Sequence, residues 1–182
     1  MKLLREVLMN IEELERLVYE YGNDVYKFCY YVTSDRDLAD ELYQETFLKA
    51  VQLRSKIDNG SNPKSYLMGI AVNIWKNYKR KKTGRNKILP QIDYEENKDK
   101  FKSVKNDVLD EYVKKELFAE LNKSIELLPE KQKLVVVLYY ADRLSTEEIG
   151  HILHIPKGTV MSRLAKAREN LKKEMEARGY EV

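Results

Sequence analysis

Cysteine, proline, glycine and histidine are all scarce in this chain: one, four, seven and two of 182 residues. A lone Cys29 excludes a disulfide framework within the chain, and its setting in "VYKFCYYV" reads as a small buried apolar residue. So few glycines and prolines argue against an all-β fold, which spends both on its many turns. Long apolar runs are missing too. Nothing approaches the roughly 18 residues of a membrane span, so no membrane insertion is expected. The opening "MKLLREVLMNIEELERL" breaks its apolar residues with charges, unlike a signal peptide, and a cytoplasmic location is expected. His151 and His154 stand three apart with Ile152 and Leu153 between them and no cysteine nearby. That is a poor metal pair. With no glycine-rich phosphate loop and no nucleophile arrangement either, the reading is not an enzyme: no catalytic residue, no metal, no cofactor. A net charge of +3 names no partner by itself.

What the chain has is helical periodicity. Ile11, Leu14, Leu17, Val18 and Tyr21 recur at three and four, and Val25, Phe28, Cys29 and Val32 resume the pattern. "TSDRD" interrupts, with Ser34 read as an N-cap and Asp37 as an acidic first turn. A second helix carries Leu38, Leu42, Phe47 and Val51 and ends near Leu53. "DNGSNP" signals a loop, in which Asn62 can cap and Pro63 can start a third helix bearing Leu67, Ile70, Ala71, Ile74 and Tyr78. From about Thr83 to Asn106 the periodicity is lost, and a polar stretch of mixed charge, broken by Gly84 and Pro90, reads as a flexible linker. Helical pattern returns near Asp107 and runs to Leu128. Pro129 opens a further helix, and a last one runs to about Ala177. The expectation is all-α: helical domain 1–83, linker 84–106, helical domain 107–182.

Within the second domain, "STEEIGHILHIPKGTVMSRL" (145–164) starts, stops and restarts a helix within a few residues. Ser145 and Glu148 form a capping box. Gly150 costs about 1 kcal/mol inside a helix, which close approach by another helix would justify. His154 sits at the turn, where a histidine tolerates left-handed geometry. Pro156 restarts the chain, Val160 and Leu164 face inward, and Thr159, Met161, Ser162, Arg163 and Lys166 stay outside. This is the layout of a helix-turn-helix whose second helix enters a DNA major groove, although a plain helical hairpin shares the bare pattern. A second basic region lies at the end of the third helix. Between Trp75 and Lys87 stand seven basic residues (Lys76, Lys79, Arg80, Lys81, Lys82, Arg85, Lys87) and no acidic one. Alone, such a run reads as a solvated face, and Trp75 and Tyr78 read as core. Beside a helix-turn-helix, the run suits phosphates and the aromatics suit bases.

Four segments in this order resemble a bacterial RNA polymerase sigma factor of the short extracytoplasmic-function (ECF) type: "DLADELYQETFLKAV", "NPKSYLMGIAVNIWKNYKRKK", "LLPEKQKLVVVLYY" and "LSTEEIGHILHIPKGTVMSRLAKARENLK". The resemblance implies promoter-specific transcription initiation with core RNA polymerase. It places Asp40, Glu41, Gln44, Glu45 and Leu48 on the helix that docks the polymerase. It assigns Gly60, Ser61, Asn62, Lys64, Asn73, Lys76, Asn77, Lys79 and Arg80 to the single-stranded minus-ten element, the loop capturing a flipped base. It assigns Lys157, Thr159, Met161, Ser162, Arg163, Lys166 and Arg168 to the duplex minus-thirty-five element, with Arg168 contacting phosphate or pairing with a neighbouring Glu. An anti-sigma factor, often membrane-bound, is a further implied partner. Met161 stands where the family often has Lys or Arg, and His154 replaces the usual turn glycine. A helix-turn-helix regulator that works without polymerase is the alternative, but it has no need of "DLADELYQETF" or "NPKSYLMGIAVN". A helical adaptor without DNA would leave the Lys76–Lys87 run unexplained.

Overall fold

The computed structural model describes residues 2–53, 62–86 and 110–180, and side chains within 15–53, 62–83 and 116–180. All regular structure in these residues is helical. The chain divides into two compact units, each with its own core.

The first unit holds α1 (Lys2–Thr33), α2 (Arg36–Gln52) and α3 (Pro63–Asn86). Helix α1 runs unbroken through Gly22, so the two apolar blocks read from the sequence belong to one helix. Every pair of these helices packs together. Val25, Phe28, Cys29 and Val32 bury one stripe of α1, as their spacing requires; Val18, counted on the same stripe, stays exposed. Ala39, Leu42, Phe47 and Ala50 line the inner side of α2, and Leu67, Met68, Ala71, Val72 and Trp75 that of α3. Thr46 is fully buried, and its hydroxyl donates to the Leu42 carbonyl at 2.7 Å, which satisfies the polar group inside the core.

The α1–α2 corner corrects one sequence expectation. Ser34 is not the N-cap: it takes φ +55°, closing α1 through its N–H to the Tyr30 carbonyl. Asp35, extended at φ −141°, caps α2 by accepting from the Leu38 N–H at 2.9 Å. A residue in left-handed geometry ends a helix, so the cap falls to its neighbour. Asp37 keeps its expected first-turn place. At the other end, Asn62 caps α3, its Oδ1 accepting from the Lys64 N–H at 3.0 Å, and Pro63 is the first helical residue. Helix α3 continues through Gly84 to Asn86, three residues past the expected start of the linker.

The second unit holds α4 (Asp110–Glu126), α5 (Glu130–Val136), a π-helical turn (Val137–Ala141), α6 (Thr146–Leu153) up to Gly150, and α7 (Lys157–Ala177). Helix α7 packs on α4 and α5. Val160, Leu164, Ala167 and Met175 form its inner stripe. Polar ties register it against its neighbours: Asn170 donates to Gln132 at 2.8 Å, Ser124 donates to Met175 Sδ at 3.4 Å, and Arg178 pairs with Glu120 at 2.7 Å. The sequence pattern 130–141 reads as one plain helix. Its last turn is instead wound wider, with the Asp142 N–H reaching the Val137 carbonyl at 3.2 Å.

The α6–α7 turn follows the sequence reading closely. The Ser145 N–H donates to Glu148 Oε2 at 2.9 Å, and the Glu148 N–H donates back to Ser145 Oγ at 3.2 Å, closing the capping box. His154 takes φ +57°. The Ile155 N–H returns to the Gly150 carbonyl at 3.0 Å, folding the chain over Gly150. A Cβ on Gly150 would lie 2.9 Å from the Ile155 carbonyl oxygen and 3.9 Å from a Val160 methyl.

This geometry sets opposite signs for two glycine substitutions. Gly150→Ala is expected to destabilise the second unit by about 1–3 kcal/mol, because backbone must move, despite better helix propensity. A Cβ on Gly158 meets nothing within 4 Å. Gly158→Ala is expected to stabilise by about 0.4–1 kcal/mol. Urea midpoints at constant slope measure both.

Candidate nucleic-acid interfaces

The basic end of α3 is presented as expected. Lys76, Lys79, Arg80, Lys81 and Lys82 are exposed, and Arg85 lies on the same helix. Lys87 lies outside the described residues, as do Gly60 and Ser61 of the expected base-capturing loop. Asn73 and Asn77, one turn apart, are both exposed. Asn77 accepts from Arg80 at 3.3 Å, which arranges two of the candidate contacts side by side. Trp75 is buried, stacked on half-exposed Tyr78 with ring centroids 5.6 Å apart, and the Lys79 ammonium lies 5.4 Å from the Trp75 centroid. In this conformation Tyr78, not Trp75, is the aromatic with an open side. The Lys64 ammonium pairs with Asp24 at 2.6 Å and ties α3 to α1.

On α2, Glu41, Gln44, Glu45 and Leu48 are exposed and Asp40 is half-buried, so the five sequence-assigned residues share an outward side. Leu48 is 61% exposed, an apolar residue on an otherwise acidic and polar face. Asp40 and Gln44 also border a shallow groove with Asn23, Tyr26 and Tyr43, residues that sequence periodicity did not single out.

Helix α7 sorts its candidates by edge. Met161, Ser162, Lys166 and Arg168 are exposed; Thr159 and Arg163 are half-buried. Met161 is 54% exposed, which leaves its thioether open to a thymine methyl. Two of the lysines are held by acids. Lys157 pairs with Glu147 of α6, pulling that carboxyl below its usual range, with Thr146 assisting. Lys166 pairs with Glu169 at 2.9 Å, and Lys173 reaches the same carboxylate at 2.7 Å. Lys173 and then Lys166 draw the Glu169 carboxyl down to about 2. Among the described residues Arg168 pairs with no glutamate. Its Nε donates to the Tyr140 hydroxyl at 2.7 Å, with the guanidinium over the rings of Tyr139 and Tyr140. Among the described residues no group of His, Cys, Asp or Glu could hold a metal ion, and no helix is long and apolar enough to cross a membrane.

A carboxyl lowered from 4.5 to about 2 favours the folded state above its ordinary pKa, and that contribution fades as pH falls from about 4.5 toward 2. A carbon-detected NMR titration is expected to place Glu169 near 2, and to move it up toward 4.5 in Lys173→Met. Glu169→Gln removes a negative charge beside Lys166, so duplex binding should tighten and its salt slope should steepen by up to about 0.9.

Comparison with known proteins follows the same division. Residues 17–85 match the model of Sigma-70 region 2, and residues 118–171 that of Sigma-70, region 4. The chain is 31% identical over 158 residues to the ECF RNA polymerase sigma factor SigW of Bacillus subtilis, covering 85% of this chain and 84% of that protein. It is 31% identical over 161 residues to the ECF RNA polymerase sigma-E factor of Escherichia coli, covering 84% and 81%. Its fold is similar to that of the sigma factor RpoE from Bartonella quintana, solved in complex with the anti-sigma factor NepR, at TM-score 0.76 and 22% identity over 91% of this chain and 98% of that one. CnrH, solved with the cytosolic domain of CnrY, gives TM-score 0.66 at 16% identity, over 96% and 94%. The chain therefore belongs to the ECF sigma factors, subunits that bind core RNA polymerase and direct it to initiate transcription at specific promoters.

Proposed function

We propose that three exposed helix faces divide this work. The α2 face, with Asp40, Glu41, Gln44, Glu45 and Leu48, docks on core polymerase. An acidic face around one apolar residue suits a basic partner surface with an apolar spot, the charges guiding encounter and the leucine supplying buried area. The loop before α3 and the α3 face bearing Asn73, Lys76, Asn77, Lys79 and Arg80 engage the minus-ten strand. Asn62 caps the helix through its side chain, and the capture of a flipped base is assigned to it with Gly60 and Ser61. Lys64 contributes through the Asp24 pair, by fixing the angle at which α3 leaves the loop.

Helix α7 reads the minus-thirty-five duplex. Ser162 and Lys166 point away from the core, Lys157 and Thr159 stand at the positive end of the helix, and Met161 offers an apolar contact. A first domain that ends with α3, a second that opens near α4, a linker between them and a cytoplasmic site of action complete the reading. The protein acts as a specificity subunit and leaves the chemistry to the polymerase. An anti-sigma factor regulates it, as the complex of RpoE with NepR suggests for a protein of similar fold. The observation that carries this reading is the pairing in one chain of an exposed acidic helix face with two separate DNA-suited helices. A regulator acting without polymerase would use only one of them.

Charge reversal tests the division. Glu41→Lys with Glu45→Lys is expected to weaken assembly with core polymerase roughly tenfold or more while the thermal transition stays put, both residues being exposed. Size-exclusion titration against labelled polymerase reads the change. Unaltered assembly would remove α2 from the docking surface.

A further inference from the structure

The π-helical turn Val137–Ala141 ends in two tyrosines that meet one arginine of α7. Neighbours on a regular helix point about 100° apart, so two consecutive side chains seldom face a common target. Here the ring centroids of Tyr139 and Tyr140 are 5.0 Å apart, edge to face, and the Arg168 guanidinium lies 6.0 and 5.7 Å from them. The Tyr140 hydroxyl accepts from Arg168 Nε at 2.7 Å. Among the described residues no carboxylate pairs with Arg168 and no hydrogen bond reaches its two terminal nitrogens. This contrasts with Lys157 and Lys166 on the same helix, both held by acids. Tyr140 is 52% exposed and Arg168 is exposed, so the cluster sits at the surface.

A flexible arginine loses side-chain entropy when it is fixed, and a solvated surface arginine usually stays mobile. This one is fixed by its inner nitrogen and two ring faces, with the outer fork left open. An open guanidinium fork in a set orientation matches phosphate oxygens two at a time. Met161 lies two turns before Arg168 on the same edge of α7, so the fork sits beside the face that reads the groove, where a duplex strand would pass.

We propose that Tyr140 is the positioning residue of Arg168: with the ring of Tyr139 it holds in one orientation the guanidinium whose phosphate contact on the minus-thirty-five duplex the family resemblance implies, so that Arg168 acts as a clamp. The clamp rests on the reading of α7 as the minus-thirty-five helix. It sets register and contributes affinity without reading sequence.

The test uses holoenzyme assembled from bacterial core polymerase and full-length protein, bound to a promoter obtained by selection, with affinity measured across salt concentrations. Arg168→Ala should lower the salt slope by about 0.9 and weaken binding roughly threefold to tenfold at low salt, equally for promoters differing in minus-thirty-five bases. Tyr140→Phe, which keeps the ring and loses the hydroxyl, should show a smaller loss. Tyr140→Ala should approach Arg168→Ala, and the double variant should be no worse than Arg168→Ala alone. An unchanged slope in Arg168→Ala overturns the clamp, as does a loss that depends on the bases present. Additive Tyr140 and Arg168 effects overturn the positioning role. If wild-type holoenzyme binds no promoter at all, the sigma reading itself falls, and the clamp with it.

Discussion

The backbone contact between Gly150 and the Ile155 carbonyl controls the second unit. A hydrogen bond from the Ile155 N–H brings the turn back over α6, and only a residue without Cβ leaves room for it. His154 accepts the left-handed φ that the turn demands, at a small conformational cost. From that corner the direction of α7 follows, and so does the assignment of Val160 and Leu164 to the core and Ser162 and Lys166 to solvent. The capping box at Ser145 fixes where α6 begins, so both ends of this short helix are specified by local chemistry. A helix of eight residues has little stability of its own and depends on such caps and on packing.

Charge on the exposed helices is arranged more finely than the sequence totals indicate. On α7 two lysines are tempered by Glu147 and Glu169, while Arg168 is held by aromatic rings and a hydroxyl. Tempered lysines weaken sequence-independent attraction to DNA and leave more of the discrimination to base contacts. In the first unit Lys64 is likewise paired with an acid, Asp24, and the exposed basic residues lie further along α3.

Much of this was legible in the sequence because it is local. The capping box, the Asn62–Pro63 start and the apolar stripes of α1 and α7 each depend on residues a few positions apart. The first cap of α2 was read one residue early because Ser34 and Asp35 both qualify chemically, and only the backbone angle of Ser34 decides between them. Helix α3 outran its expected end because Gly84 was weighed as a breaker, whereas a glycine lowers helix stability without forbidding it. What could not be read joins distant positions. Lys64 meets Asp24 across 40 residues and Arg168 meets Tyr140 across 28. The Lys64–Asp24 and Arg168–Tyr140 contacts therefore emerge only from the folded chain.

Run-off transcription by bacterial core polymerase on a pool of random promoters, with and without this protein, tests the central claim most directly. The account predicts transcripts that require the protein and share two elements at a fixed spacing, one for each DNA-suited helix. Transcription that is unchanged by the protein, together with salt-sensitive duplex binding by the protein alone, would contradict it.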